Sequence, residues 1–563
     1  MNARPQRLLI TPQQAAVHEL FVETGSMSDV ARTLGLSQIR VREALVQYQR
    51  NVMRSHGLTP PPLREMLRGD VVTRFGISRA EIGGRPAKHL QSDPVISGNV
   101  KEIVGRSVMR GRQAAPPLSG SRRLIVTAAE TGAPVHLGFW NNLQAFAART
   151  GAELAVFRVG EVGLIADGQT GLRSHLRDGL VNLADVVEIA GDLRLAPNAT
   201  RPLAGLERRR TAGWTVVPHP TVQLETLSRV RAEGLKVHLT SGAVTLPKMR
   251  GASLARSEVG AVIIEVSNDG HAHCRHLLAS ADGAGDFQDL KFRVSGASVF
   301  AGCRVEALTF GDIHHAHLDP EVARATWKGG RSRSLVDELR PRFMVFHDVC
   351  DFEARNHHHA ADPHKRFAQL VAAGGDVRRE MAASAAFLGG TRRKFARSVV
   401  VGSNHDLALL RWLREADFRD DPTNAVFFLE ASLALYKRIE AGRPVDGIFE
   451  QMMRHLAADE LGGVRFLKPE ESFQVAGVEC AIHGHQASDG RRGSMPLFER
   501  LGINATLGHT HRPTTRGGIY CAGVCQTELE YARGPLTNWA VGHVVTYATG
   551  ARQHLFFNGG RFF

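Results

Sequence analysis

Val305-Glu-Ala-Leu-Thr-Phe-Gly-Asp-Ile-His314 passes from a mostly apolar run, through one glycine, to the metal-ligand types Asp312 and His314. A short β-branched or aliphatic run closed by a turn residue reads as a buried strand. The same arrangement recurs down the chain. Phe343-Met-Val-Phe346 leads into His347-Asp348, and Val399-Val-Val401 into Gly402-Ser-Asn-His-Asp406. Val478-Glu-Cys-Ala-Ile482 leads into His483-Gly-His485, and Ile503-Asn-Ala-Thr-Leu507 into Gly508-His-Thr-His511. Open α/β sheets build their sites at the carboxyl ends of neighbouring strands. Imidazole, carboxylate and amide oxygen gathered there can hold two divalent cations that share a carboxylate. The pattern predicts phosphoester hydrolysis on an α/β fold.

In order, the motifs D-x-H, D, N-H-D, H-G-H and G-H-T-H resemble the calcineurin-like metallophosphoesterases, the superfamily of the SbcD-type DNA repair nucleases. That resemblance covers roughly residues 300 to 563. Over most of the chain there is a second one. Asp312-Ile-His314, Phe346-His-Asp-Val349, Ala354-Arg-Asn-His-His358, Val401-Gly-Ser-Asn-His-Asp406, His483-Gly-His485 and Arg492-Gly-Ser494 resemble the pre-early DNA-degrading proteins of phages that inject their genome in two steps.

The resemblance implies a layered metallophosphoesterase sandwich and a role for each ligand position. Asp312, His314 and His511 would hold one cation, Asn404, His483 and His509 the other, and Asp348 would bridge them. His405 would be left as general acid or charge stabiliser during in-line attack by an activated water. The His and Asn donors tilt the choice toward manganese, with magnesium or iron as options. His347 and Ser403 stand where the family usually has glycine. Asp351 and Asp406 are expected to orient ligand histidines, and His483 is favoured over His485 because it directly follows the apolar run. Asn356-His-His-His359, followed by Asp362 and His364, reads either as extra metal or phosphate contacts or as a solvated loop.

Charge points to the substrate. The 563 residues carry a formal net charge of +14, which suits a polyanionic partner through counterion release. Residues 1–122 hold 18 Lys and Arg against 9 Asp and Glu. Within them, residues 1–58 read as a helix-turn-helix. A first helix runs from Pro12 to Val22, with Ala15, Ala16, Leu20 and Phe21 inward. A second, capped by Ser28, runs from Asp29 to Leu34. Gly35 makes the turn, and a third helix, capped by Ser37, runs from Gln38 to about Arg50 with Val41, Ala44 and Leu45 inward. The last helix of such a unit enters the major groove, which assigns Gln38, Arg40 and Arg42 to DNA. Arg491 and Arg492, close after His483, are further candidates for gripping phosphates.

The remaining divisions follow composition. Residues 59–122, broken by Pro and Gly, read as a basic linker, 123–300 as an α/β accessory domain and 301–563 as the catalytic domain. Six cysteines without a C-x-x-C pair argue against a zinc framework or disulfides and fit a cytoplasmic protein. No apolar stretch approaches a membrane span, and the first residues lack a secretory signal. Homo-oligomerisation stays open. The reading is a DNase degrading host DNA in a phage infection. The alternatives are a phosphatase or small-molecule phosphodiesterase, and a DNA-binding or DNA-transfer factor with secondary or no hydrolase activity.

Overall fold

A computed structural model describes residues 12–24, 26–55, 123–160, 170–209, 212–248, 257–330, 333–356, 362–372, 374–526 and 534–563. The expected linker at 59–122 and the run His357 to His359 lie outside them. The chain divides into two compact units, Met1–Arg106 and Ser107–Phe563.

The first unit contains three helices, α1 (Pro12–Thr24), α2 (Met27–Leu34) and α3 (Gln38–Ser55). Val17, Phe21, Val30, Val41 and Leu45 form its core. On α1 the inward face is Val17 and Phe21, four residues apart and so on one side of a 3.6-residue helix; Ala16 and Leu20 are only partly covered. The cap of α2 also differs from the expected one. Ser26 Oγ accepts the Asp29 N–H at 3.3 Å, while Ser28 lies inside the helix and accepts from Gln38 Nε2 at 2.9 Å. Gly35 ends α2 with φ 63°, a left-handed conformation that glycine adopts without steric cost. Ser37 Oγ then accepts the Arg40 N–H at 3.3 Å, starting α3.

The second unit is mixed α/β and layered. One six-stranded sheet has the order Arg465–Phe466, Arg397–Val400, Phe343–Phe346, Ala307–Thr309, Gly542–Thr546, Arg552–Phe556. Its first four strands are parallel and its last two antiparallel. Because successive strand residues point to opposite faces, each strand feeds two cores. Leu308, Phe310, Met344, Phe346 and Val400 face helices Val377–Thr391 and Ile448–Leu456. Ala307, Val345, Val399 and Val401 face the other way, onto Val475, Val478 and Cys480. This second contact stacks the sheet against a ten-stranded one.

The ten-stranded sheet joins segments far apart in sequence. Val478–Glu479, Ala505–Leu507, Ile519–Cys521 and Thr514–Arg516 continue through Leu224–Thr226, Val237–Thr240 and Trp214–Val217. At the junction Thr514 pairs with Glu225 and Thr515 with Leu224. Residues 123–300 and 301–563, read above as successive domains, therefore share one sheet and one compact unit. Trp140 and Trp214 are core residues, 0% and 2% exposed. On helix Ala425–Glu440, Phe427 and Phe428 are buried, while Leu433 is 56% exposed. Among the described residues no helix is long and apolar enough to cross a membrane.

Candidate metal centre

Five chain segments converge where the two sheets meet. Asp312 and His314 follow the Ala307–Thr309 strand, Asp348 follows Phe343–Phe346, and Asn404 and His405 follow Arg397–Val400. These strands are adjacent and parallel, so their carboxyl ends open on one side. His483 follows Val478–Glu479, and His509 and His511 follow Ala505–Leu507, in the facing sheet.

The backbone bends sharply to deliver these side chains. His314, Asp348, His509 and His511 have φ of 40°, 45°, 66° and 56°, a left-handed region that costs non-glycine residues about 1–2 kcal/mol each. Such strain persists where the surroundings over-determine it, and it clusters at functional sites. Gly508 permits the closest approach. A Cβ there would stand 2.3 Å from Asp312 Oδ1, and its absence lets the His509 N–H donate to Asp312 Oδ2 at 2.7 Å.

Asp312, His314, Asp348 and His511 each offer a ligand atom within 4.8 Å of the others, all buried, and together could hold a metal ion. His511 Nε2 lies 3.1 Å from Asp312 Oδ2, and His314 Nε2 is 3.6 Å from Asp348 Oδ2. His483 Nε2 lies 3.2 Å from the same oxygen and 3.1 Å from Asn404 Oδ1. The His509 ring centroid is 5.2 Å from that of His483. His485 stands one ring further out, 5.5 Å from His483 and 6.2 Å from His509. The six other positions expected as ligands thus lie around Asp348.

Electrostatics fit a cation. Asp312 Oδ1, both Asp348 oxygens and His509 Nε2 are buried without a hydrogen-bond partner, although buried polar atoms are normally satisfied. A divalent ion held by Asp312 and Asp348 would satisfy their oxygens. Burial works against the charge on Asp348, but His483, His405 and His314 hold its carboxyl well below the usual range. Burial likewise disfavours a charged His483, yet Asp348, Asp312 and Asp406 outweigh it and lift the ring to about 9. Burial, raised further by the Asp348 charge, pushes Asp406 up to about 8. Among the described residues Asp406 makes no hydrogen bond to a ligand histidine, whereas Asp351 does: His314 Nδ1–H donates to Asp351 Oδ1 at 2.6 Å. That bond fixes the tautomer and leaves Nε2 for a metal.

His405 is oriented differently. Its Nδ1–H donates to the Asp351 carbonyl at 2.8 Å, and its ring borders a cavity of about 630 Å³ that also takes in Asp348, Asn404, His509, His511 and Arg492. Arg492 arrives there on a tightly pinned loop. Gly493 approaches so close that a Cβ would sit 2.0 Å from the Gly484 carbonyl oxygen. Arg491 points elsewhere, 84% exposed and 3.8 Å from Asp489. Gln38, Arg40 and Arg42 are exposed on α3. Asn356, singled out in the sequence with the histidine run that follows it, lines the cavity; Trp539, which belongs to no linear motif, lines it too and was missed. Sequence reasoning noted His347 only as a missing glycine; the ring is buried, and its Nδ1 lies 3.3 Å from His483 Nδ1.

The chain matches no known family profile and no solved structure. Protein A1 of Escherichia phage T5 is 31% identical to it over 464 residues, which span 78% of this chain and 83% of that protein. Similarity of that extent places the chain in the family of phage T5 Protein A1.

Proposed function

We propose that this protein is a dinuclear-metal-dependent DNA phosphodiesterase of the metallophosphoesterase type, with which a phage degrades host DNA. The observation that carries the reading is the unsatisfied Asp348 carboxylate, buried between Asp312, His314 and His511 on one side and Asn404, His483 and His509 on the other. Two sets of donors around one carboxylate suit a pair of divalent cations, with manganese favoured by the nitrogen-rich set. When bound, the cations supply Lewis acidity and an activated water.

The chain's own residues do the rest. Asp351 holds His314 and His405 in fixed tautomers. His405, tethered at Nδ1, keeps Nε2 for a proton at the leaving oxygen. Arg492 at the cavity wall grips a phosphate of the substrate strand. The three-helix unit acts as a helix-turn-helix that brings DNA, with Gln38, Arg40 and Arg42 on the exposed start of α3. The net charge of +14 and the resemblance to pre-early DNA-degrading phage proteins support DNA over a small phosphoester.

The test uses circular and linear DNA, with EDTA, with manganese restored, and with the Asp348→Ala variant alongside. Cleavage that EDTA abolishes, manganese restores and the variant lacks is expected. Absence of metal-dependent cleavage of any nucleic acid overturns the reading.

A further inference from the structure

Each histidine assigned to a cation has a second ring nitrogen to place. His314 places its own on the Asp351 carboxylate. His483 meets another imidazole instead: its Nδ1 lies 3.3 Å from Nδ1 of His347, while its Nε2 faces Asp348 Oδ2 and Asn404 Oδ1. The two rings come from facing sheets, His347 from the end of Phe343–Phe346 and His483 from the segment after Val478–Glu479.

Both residues are held by their backbones. Ile313 N–H donates to the His347 carbonyl at 3.0 Å, and Gly508 N–H donates to the His483 carbonyl at 2.9 Å. The His347 ring is fully buried and lies against Gly508, where a Cβ would stand 3.0 Å from its Cγ. Among the described residues its Nε2 has no hydrogen-bond partner. A buried polar atom left unsatisfied costs stability, so nothing on the Nε2 side accounts for a histidine here. What the ring does have is its contact with His483.

A neutral imidazole that binds a cation through one nitrogen carries its proton on the other. With Nε2 of His483 turned to Asp348 and Asn404, that proton sits at Nδ1 and needs an acceptor. Burial keeps the His347 ring neutral, and a neutral imidazole has one lone pair to offer. We propose that His347 is a positioning residue for the cation held by Asn404, His483 and His509: its Nδ1 accepts the His483 Nδ1–H, and so fixes the tautomer and ring orientation that present Nε2. This rests on the dinuclear reading above. The Asn404, His483 and His509 set has Asp348 as its sole carboxylate, whereas the other set adds Asp312. It is therefore the weaker site, and the one that depends more on a correctly held imidazole.

The experiment titrates manganese into metal-free, full-length wild-type protein, His347→Leu, His347→Ala and His347→Asn, and reads the unbound ion by its electron paramagnetic resonance signal. Leu and Ala remove the acceptor, whereas Asn keeps an oxygen near the place of Nδ1. Leu and Ala should weaken the weaker of two binding steps about 10- to 100-fold, the usual cost of losing such a partner, with the tighter step unchanged and Asn close to wild type. Circular dichroism in EDTA checks the fold. Leu and Ala variants that bind like wild type, lose both steps together or no longer fold, or an Asn variant that falls as far as Leu, would show that the ring only fills space, and overturn the proposal. The dinuclear reading fails separately. Wild-type protein that takes up fewer than two manganese ions sinks it and the proposal with it, whereas two steps untouched by Leu and Ala sink only the role of His347.

Discussion

His405 stands outside the fully buried cluster of Asp312, His314, Asp348 and His511, although with His314 and Asp351 it forms a second group whose ligand atoms lie close together, and its hydrogen bond runs to the Asp351 carbonyl. Replacing His405 with Asn should therefore leave metal content unchanged while kcat falls by about 10²–10⁴, the usual contribution of a positioned acid or base. Metal content by plasma mass spectrometry and single-turnover rates check both halves, and lost metal would make His405 a ligand. Ligand types at this level were legible in the linear chain because each follows an apolar run. The choice between His483 and His485 was settled by position after the strand, and the geometry puts His483 at Asp348 with His485 a ring further away. His347 was not legible as a contact, because a buried histidine shows its neighbour only when another sheet closes over it.

Helix α3 begins with its polar side exposed and its apolar side, Val41 and Leu45, sealed against α1 and α2. That separation lets charge be removed without unfolding the unit. Arg40→Ala combined with Arg42→Ala should weaken DNA binding and reduce the slope of log affinity against log salt by nearly two, since each lost phosphate contact removes about 0.9 from it. Hydrolysis of a small phosphodiester should be unaffected. A salt titration by anisotropy decides, and an unchanged slope removes α3 from DNA binding. The Phe343–Phe346 strand was readable to the residue from its apolar run. The cap of α2 was misplaced from Ser26 to Ser28 because both serines precede the same apolar positions, and only backbone conformation distinguishes a cap from a first-turn residue. The Val478–Glu479 strand is shorter than its apolar run, since the chain leaves the sheet early to carry His483 inward.

Across the second unit, buried histidines link folding to pH. Burial lowers His276 to about 4, His273 to about 4 and His554 to about 3. Each is neutral when folded and titrates near 6.5 when unfolded, so its contribution to stability is complete above pH 6.5 and lost as pH falls toward 4. Each group adds up to about 1.4 kcal/mol per pH unit to that decline. Thermal unfolding followed by circular dichroism should show Tm dropping steeply between pH 6.5 and 4, and a flat Tm over that window contradicts the burial argument. His276 and His554 sit where strands from both halves of the unit close on one another: Gln553 Nε2 donates to the His276 carbonyl, and Thr514 pairs with Glu225. Sequence by itself determined the strand-then-ligand rhythm, the donor types and the excess positive charge, because those depend on local periodicity and composition. Only the tertiary structure decided that residues 123–300 and 301–563 share a sheet, that the six other donors gather around the Asp348 carboxylate, and that Trp539 walls the cavity. The physical reason is that strand pairing and close packing join residues hundreds of positions apart, where no linear pattern connects them.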